Sequence, residues 1–435
     1  MKNRFKINKK EVLIKVIVST CLLALLFLSF LFSSKIEKAL GLRVEYNTNQ
    51  VASTAFEKSN YAVHYIDVGQ GNSVLIQLPD GKSVLIDGGN TLYGEVVEAF
   101  LKDKNIYKID YLIASHADAD HIGGLNHVLD NFEVKNIYRP FQIAGTGSSA
   151  ATFQVFEDED LGGVYEYYQD ATNGRSKISR VTSNVYKDFI SRIYDETYLL
   201  GNELKSSTVT VFYDGLKISG YNYEIEFFAP FVREDSINLD SMCTKTLGYA
   251  TKGYGVSKSN DNSAVFLFSV GDDKFLFTGD AACSASGDKN PKPEKYEELD
   301  FVASLSREEK ELFAEIDVFL AGHHGSVYSS SQVLIDLINP SFVVVSVGAN
   351  NTYGHPSVEV LNRFGKSSNI ESDGVLRTDK VGDISFVNVD GNVKYVLKIS
   401  SDKEKFLISW ELLSSVTCAA LILLVVFIKP KSHQR

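Results

Sequence analysis

The sequence predicts an α/β domain built around a metal site, with one transmembrane helix at each end. Three observations carry that expectation. Two uncharged apolar runs lie near the termini, and β-rich runs alternate with helical ones between them. Directly after the apolar Tyr111-Leu112-Ile113-Ala114 comes Ser115-His116-Ala117-Asp118-Ala119-Asp120-His121-Ile122-Gly123-Gly124, with four potential metal ligands within six positions.

The apolar runs cover residues 16–34 and 412–428, 19 and 17 residues without a charge. The second reaches the roughly 20 residues a bilayer requires if 406–411 lies in the interface with Trp410 as its anchor. Before the first run Lys2, Arg4, Lys6, Lys9, Lys10 and Lys15 outweigh Glu11, and Lys429, Lys431 and Arg435 follow the second. Positive flanks stay in the cytoplasm, so both runs give the same orientation. The expected organisation is a cytoplasmic basic arm (1–15), a helix (16–34), an extracellular linker (35–60), a domain (61–400), a helix (406–428) and a cytoplasmic basic tail (429–435). A cleaved signal peptide is the rival reading for the N-terminus, although Ser33-Ser34-Lys35 offers no clear small-x-small site.

The net charge of −11 becomes about −19 once the two basic ends are set aside. Such a surface repels polyanions at long range and counts against tight non-specific DNA binding. Of the four cysteines, Cys21 and Cys418 fall in the membrane runs. Cys243 and Cys283 would face an oxidising compartment, where one disulfide between them is an option.

Along the domain, 61–66 reads as a strand ending at Asp67-Val68-Gly69-Gln70-Gly71-Asn72. Residues 73–78 and 83–89 read as a hairpin about Pro79-Asp80-Gly81-Lys82, since Asp-Gly between β-rich runs is a strong turn signal. A helix is expected over 91–101 with Val96, Val97, Phe100 and Leu101 on one face, then a strand over 109–114 that delivers the ligand cluster. Strand, helix, strand and a site at the strand's carboxyl end is an α/β pattern. A strand at 134–139 follows. Residues 140–205 read as a helical or loop insertion over one rim of the site, with a helix at 179–199.

Further strands are expected at 208–212, 223–228, 264–270 and 274–278, the last ending in Gly279-Asp280. A helix over 307–316 begins with the capping-box spacing of Ser306 and Glu309. The strand at 317–322 ends in His323-His324-Gly325-Ser326, and that at 342–347 leads to Asn351-Thr352-Tyr353-Gly354-His355-Pro356. A helix at 358–364 and closing strands at 383–389 and 393–399 complete the domain.

Three strands thus end in ligand residues: His116 to His121, Asp280, and His323-His324. Carboxylate oxygens with imidazole nitrogens suit zinc, manganese or iron. Two such ions sharing a carboxylate activate water for hydrolysis. No Gly-x-Ser-x-Gly elbow supports a serine mechanism. His64 and His127 read as packing or surface residues.

These motifs resemble the metallo-β-lactamase fold superfamily, in particular the extracellular hydrolase domain of the ComEC-type DNA-uptake proteins. The resemblance rests on His64 through Ser73, Leu85-Ile86-Asp87-Gly88-Gly89, Ser115 through Gly124, Asp261-Asn262-Ser263, Phe277-Thr278-Gly279-Asp280, His323-His324-Gly325-Ser326 and Tyr353-Gly354-His355-Pro356. It implies an αββα sandwich, in which two mixed sheets face each other, helices cover the outside and the metals lie at one edge. It also implies one or two divalent ions, Zn2+ or Mn2+. Asp120, His121 and His323 would hold one ion, His116 and Asp118 the other, and Asp280 would bridge them. Asp87 would position ligands, and His324 or His355 would donate a proton or contact an oxyanion. Which of the adjacent histidines faces the metal stays open.

Two departures stand out. Asp118 occupies the superfamily's usual second histidine position, as in the ComEC-like branch, and no clear histidine between His127 and His323 completes that ion's site. This harder donor set favours manganese or occupancy with substrate. Asn72 stands where the ComEC-like pattern has an aspartate. The resemblance implies a membrane-anchored, extracellular phosphodiesterase or nuclease using metal-activated hydroxide. The alternatives are a phosphorylcholine-type esterase of the cell envelope and a catalytically degenerate, membrane-tethered scaffold for a protein partner. A β-lactam hydrolase fits the motif pattern less well.

Overall fold

The first strands are set by a local reversal. β1 (Ala62–Tyr65), β2 (Val74–Gln77) and β3 (Ser83–Ile86) are antiparallel, with β2 and β3 in register from Val74 opposite Ile86 to Gln77 opposite Ser83. Gly81 takes φ +80 in the turn and Leu78 N donates to Lys82 O at 2.9 Å, so the chain reverses at the expected Asp-Gly. The computed structural model describes residues 59–397 apart from 141–149, 159–162, 171–175, 181–183, 195–198, 201–202, 205–206, 230–236, 239–243, 247–259 and 371–372. The predicted membrane segments 16–34 and 406–428, both basic ends and most of the linker lie outside the described residues. Among the described residues no helix is long and apolar enough to cross a membrane.

The main sheets continue in chain order with β4 (Lys108–Ile113), β5 (Glu133–Arg139), β6 (Thr208–Val211), β7 (Lys217–Gly220), β8 (Tyr223–Ala229), β9 (Val265–Val270), β10 (Asp273–Phe277), β11 (Val318–Leu320), β12 (Phe342–Val345), β13 (Val375–Arg377), β14 (Ile384–Val389) and β15 (Asn392–Leu397). One sheet has the order β6-β5-β4-β3-β2-β1-β14-β15 and the other β7-β8-β9-β10-β11-β12-β13. Within them β3 to β6 are parallel, as are β10 to β13.

Period-two alternation sorts each strand between two cores. Val74 and Ile76 face inward with Tyr65 and Val84 against Phe227, Phe266 and Phe277, while Leu75, Leu85 and Leu112 face outward. Phe266 and Phe277 stack at 4.8 Å between centroids, 13° from parallel. The outer face of the first sheet is covered by α1 (Gly94–Asp103), α2 (Ala119–Asn131) and α3 (Asn184–Tyr194). The second is covered by α4 (Glu297–Ser304), α5 (Arg307–Phe313), α6 (Gln332–Ile338) and α7 (Val358–Phe364). Helix, sheet, sheet, helix is the expected αββα sandwich.

Two expectations need correction, and a third involves a residue outside those described. Val96 is 42% exposed, because the buried stripe of α1 is Val97, Phe100 and Leu101 and Val96 sits a third of a turn away. The 140–205 insertion is not helix and loop alone. Strands Ala150–Asp158, Gly163–Asp170 and Ser176–Arg180 join Ile237–Asn238 and Thr244–Thr246 in a five-stranded antiparallel sheet, and among the described residues of the insertion the helix is Asn184–Tyr194. Aromatic and β-branched residues in Val164-Tyr165-Glu166-Tyr167-Tyr168 favour strand there. Finally, Cys283 is a free, buried thiol that burial pushes up to about 12, while Cys243 lies outside the described residues.

The capping box of α5 is formed: Glu309 N donates to Ser306 Oγ at 3.2 Å and Ser306 N to Glu309 Oε2 at 2.6 Å. At the start of β11, half-buried Asp317 accepts from Lys274 N at 2.9 Å. Burial, aided by the charge of Asp273, raises its pKa from 3.8 to about 6. The folded chain therefore holds this proton more tightly than the unfolded one. The group's contribution is full below about pH 4 and is lost as pH rises through about 6. Asp317→Asn is expected to stabilise the chain at neutral pH by about 1 kcal/mol, discounted for solvent screening, and to flatten stability between those values. Denaturant unfolding across this range checks it, and a less stable variant at neutral pH would mean that the Lys274 charge outweighs burial.

Candidate metal centre

The parallel strands bring the ligand loops to one edge. Phe277 of β10, Leu320 of β11 and Val344 of β12 lie side by side, so Asp280, the His323-His324 pair and Ser346 emerge together just beyond them. In the facing sheet Ile86 lies beside Ile113, placing Asp87 next to Ser115. Ala264 N donates to Ser115 O at 2.9 Å and joins the two sheet edges. The glycines of the motif have a steric reason. A Cβ at Gly124 would lie 1.9 Å from Gly88 O, and Gly124 N donates to Gly89 O at 2.8 Å, so α2 presses directly on the loop carrying Asp87.

Asp87 anchors the first set of ligands. It sits at φ +57, accepts from Ser115 N at 2.7 Å and from Ser115 Oγ at 2.6 Å, and stands 2.7 Å from His121 Nδ1. With Nδ1–H donated to Asp87, His121 turns Nε2 toward Asp280 Oδ1 at 3.3 Å. Having donated its proton to Asp87, the Ser115 oxygen accepts from His116 Nδ1 at 3.1 Å, which leaves His116 Nε2 as a lone pair 3.7 Å from Asp280 Oδ2.

His324 is fixed from the other sheet: its Nδ1 donates to Ser346 O at 3.0 Å, and its Nε2 lies 3.3 Å from Asp120 Oδ2 and 3.9 Å from Asp280 Oδ2. Two groups of potential ligands result, His116 with His121 and Asp280, and Asp120 with His121 and His324.

The residues fit a divalent ion. His116 Nε2, His121 Nε2, Asp280 Oδ1 and His324 Nε2 are all buried without a hydrogen-bond partner, a costly arrangement for four polar atoms unless something binds them. Within each of the two groups the ligand atoms lie within 4.8 Å of one another, and His121 Nε2 stands 3.3 Å from Asp280 Oδ1, a spacing suited to donors around one ion with bonds of roughly 2.0–2.2 Å. Electrostatics agree. Burial opposes a charged Asp280, yet the imidazoles of His121, His324, His116 and His323 hold it well below the usual carboxylate range. Burial also opposes a charged Asp120, but its contact with His324 and the charge of His121 keep it ionised. Burial and the charge of His121 push His116 down, toward its ligand form. His121 is disfavoured as a cation by burial but held well above its ordinary pKa by Asp280 and Asp87, so an ion there displaces a proton.

Of the adjacent histidines, whose order at the metal the sequence left open, the structure places His324 inside a ligand group and His323 at its edge. His324, expected as a proton donor, has one nitrogen bonded to a carbonyl and the other inside the ligand group. His323, expected as the ligand, is partly exposed and reaches Asp280 Oδ2 at 3.6 Å from the edge, outside both groups. Both residues take left-handed backbone, φ 49 and φ 54, and this turn decides which ring enters. Asp118 is also peripheral: it stands at the N-cap position of α2 without a side-chain capping bond, its side chain is 42% exposed, and it contacts His116 at 3.7 Å from outside both groups. His355 sits behind His323 with rings 5.7 Å apart, and burial with the charges of His323 and His324 lowers its pKa to about 4. It is neutral near pH 7, so it is not a cationic proton donor there. Asn72 is buried, with Oδ1 lacking a partner.

Several supporting residues escaped the sequence reading. Ser115 is the relay just described. Glu297 Oε2 accepts from Ser263 N at 3.2 Å, and Ser263 Oγ accepts from Asp280 N at 3.0 Å. Glu298 accepts from Ser330 N and Ser331 N at 2.6 and 2.7 Å, tying α4 to the loop after His324. His64 is buried between Ser385 Oγ and Gln77 Oε1, as a packing residue.

Comparison with known proteins places part of the chain in a known superfamily's range of sequence. Residues 66–147 match the Metallo-beta-lactamase superfamily. The chain is 24% identical over 341 residues to ComE operon protein 3 of Bacillus subtilis, covering 74% of this chain and 32% of that protein. It is 24% identical over 347 residues to Competence protein ComA of Neisseria gonorrhoeae, covering 78% and 34%. The chain thus spans about a third of the length of these relatives. Among solved structures, the metallo-beta-lactamase fold protein YhfI from Bacillus subtilis aligns over 77% of this chain and 99% of its own at 10% identity and a TM-score of 0.35, too low to carry an argument. Residues 66–147 thus resemble a metallo-β-lactamase domain, and over about three quarters of its length the chain is similar to ComEC-type competence proteins.

Proposed function

We propose that this chain is a metal-dependent hydrolase of phosphodiesters, a nuclease of the ComEC-like type, held outside the membrane by segments 16–34 and 406–428 with both termini cytoplasmic. The observation that carries the reading is the set of four buried, unpartnered ligand atoms gathered about Asp280. One or two divalent ions, Zn2+ or Mn2+, would be held by His116, His121 and Asp280 and by Asp120, His121 and His324. Such an ion supplies Lewis acidity toward a phosphoryl oxygen and acidifies a coordinated water.

The chain's own residues determine the rest. Asp87, Asp118, Asp120 and Asp280 make the edge strongly anionic, so a phosphodiester anion is repelled until cations reverse the local field. Asp87 and the Ser346 carbonyl fix His121 and His324 in the tautomers that leave Nε2 free. His355 can hold a substrate oxygen by hydrogen bond from its half-buried ring, while His323 and Asp118 guard the open side.

The net charge of −11 favours a second substrate, since a zwitterionic phosphorylcholine diester is repelled less than a polyanion. The deciding experiment purifies the full chain, counts bound metal, and assays single-stranded DNA, a phosphorylcholine diester and a generic nitrophenyl diester with manganese or zinc. Metal-dependent cleavage of DNA supports the nuclease reading, and preference for the choline diester replaces it with the envelope esterase. A chain that binds no metal and cleaves none of the three is a scaffold, and the enzyme reading fails.

A further inference from the structure

A row of three rings leads from the ligand cluster to solvent. His323 reaches Asp280 at 3.6 Å, and His355 packs edge-on against His323 with centroids 5.7 Å apart at 71°. Tyr353 then lies almost parallel to His355, at 5.8 Å and 18°, and is 70% exposed.

The loop carrying Tyr353 is braced. Asn351 Nδ2 donates to Gly348 O at 3.0 Å and to His355 O at 2.7 Å, while its Oδ1 accepts from His355 N at 3.0 Å. Gly348 N donates to Gln70 Oε1 at 3.2 Å, and a Cβ at Gly348 would lie 2.7 Å from Gln70 N. This loop is wedged against the turn that precedes Asn72, itself joined to Asp120 by Asn72 N to Asp120 O at 3.2 Å. An aromatic ring is therefore held out in water, one ring beyond His355, on a support tied to the metal site.

We propose that Tyr353 is a stacking subsite for a nucleobase of a single-stranded nucleic acid, close along the strand to the phosphodiester at the metal centre. The proposal rests on the phosphodiesterase reading and names how that site would recognise its substrate. Its geometry favours a planar ligand. Among the described residues the only ring packed with Tyr353 is His355, so one flat face is offered, whereas a quaternary ammonium is recognised by a cage of several faces. A duplex keeps its bases stacked on each other, and only unpaired bases are free to stack on a side chain. Stacking also suits an acidic chain: affinity comes from a π face and the bound cations, not from lysine and arginine releasing counterions, so its salt dependence is shallow.

The test uses the full metal-loaded chain with an oligodeoxythymidylate, an abasic oligomer of equal length and an oligomer carrying fluorescent 2-aminopurine. Tyr353→Ala is expected to raise KM on the base-bearing oligomer by about tenfold or more, to change it far less on the abasic one, and to abolish quenching of 2-aminopurine. Tyr353→Phe keeps both properties, and raising salt weakens binding only slightly. A wild-type chain that treats the two oligomers alike, or quenching that survives in Tyr353→Ala, overturns the subsite. Competition by phosphorylcholine that depends on Tyr353 overturns the nucleobase assignment. Quenching that needs Tyr353 in a chain that cleaves nothing keeps the subsite and refutes the hydrolase reading instead.

Discussion

Asp280→Asn should lower kcat/KM on any phosphodiester by about 10³-fold or more, since the several kcal/mol that a bound ion contributes amount to a factor of ten for each 1.4 or so. The asparagine keeps the size of the side chain and the backbone bond from Asp280 N to Ser263 Oγ, so the fold has little reason to change. What it loses is the anion facing His116, His121, His323 and His324. Metal content should fall with activity, while the unfolding transition of the metal-free chain is retained. Asp118→Asn is the comparison, because Asp118 touches one ligand from an exposed position and its loss should cost far less. Equal losses in the two variants would show that the ion nearest His116 is held mainly by Asp118, against the geometry. Full metal content in Asp280→Asn would remove Asp280 from the centre altogether.

How far the site could be read in advance followed the range of the interactions that build it. Asp120, His121 and Asp280 were legible because each lies in the segment that leaves the carboxyl end of an apolar strand, and parallel strands bring such ends together. The hairpin about Gly81 was legible because its turn is local. The choice between His323 and His324 was not, since it depends on two consecutive left-handed residues and on a carbonyl, Ser346 O, 22 positions away. Asp87 carried a motif, but its partner Ser115 was hidden inside a stronger one. The strands of the 150–180 insertion were masked by acidic and polar residues that break the apolar alternation. Glu297 and Glu298 carried no signal at all, since no element was expected between 279 and 307. In the fold both are buried, Glu297 accepting from the Ser263 amide and Glu298 from those of Ser330 and Ser331.

The second large effect is expected at Glu298. Each carboxylate oxygen takes one amide, Ser330 N and Ser331 N, and Ser330 is at φ +53, so the loop turns sharply to aim both donors at one acceptor. Arg363 closes the loop from the other side, donating to Val327 O, Ser329 O and Ser330 O, and Ser330 Oγ accepts from Gly322 N just before His323. Glu298→Gln replaces one acceptor with an NH2 that faces an N–H. One buried amide is then left unpaired, at a cost of about 1–3 kcal/mol. Because that loop also sets the turn carrying His324, metal affinity should fall by roughly 10–100-fold, the usual range for losing a residue that orients a ligand. Denaturant unfolding of the metal-free chain measures the first effect, and competition with a chelator at a temperature where the variant is folded measures the second. Lost stability with unchanged metal affinity would mean that Glu298 holds the loop without aiming His324. Both losses together would make α4 the brace that carries the metal centre's geometry from one ligand loop to the next.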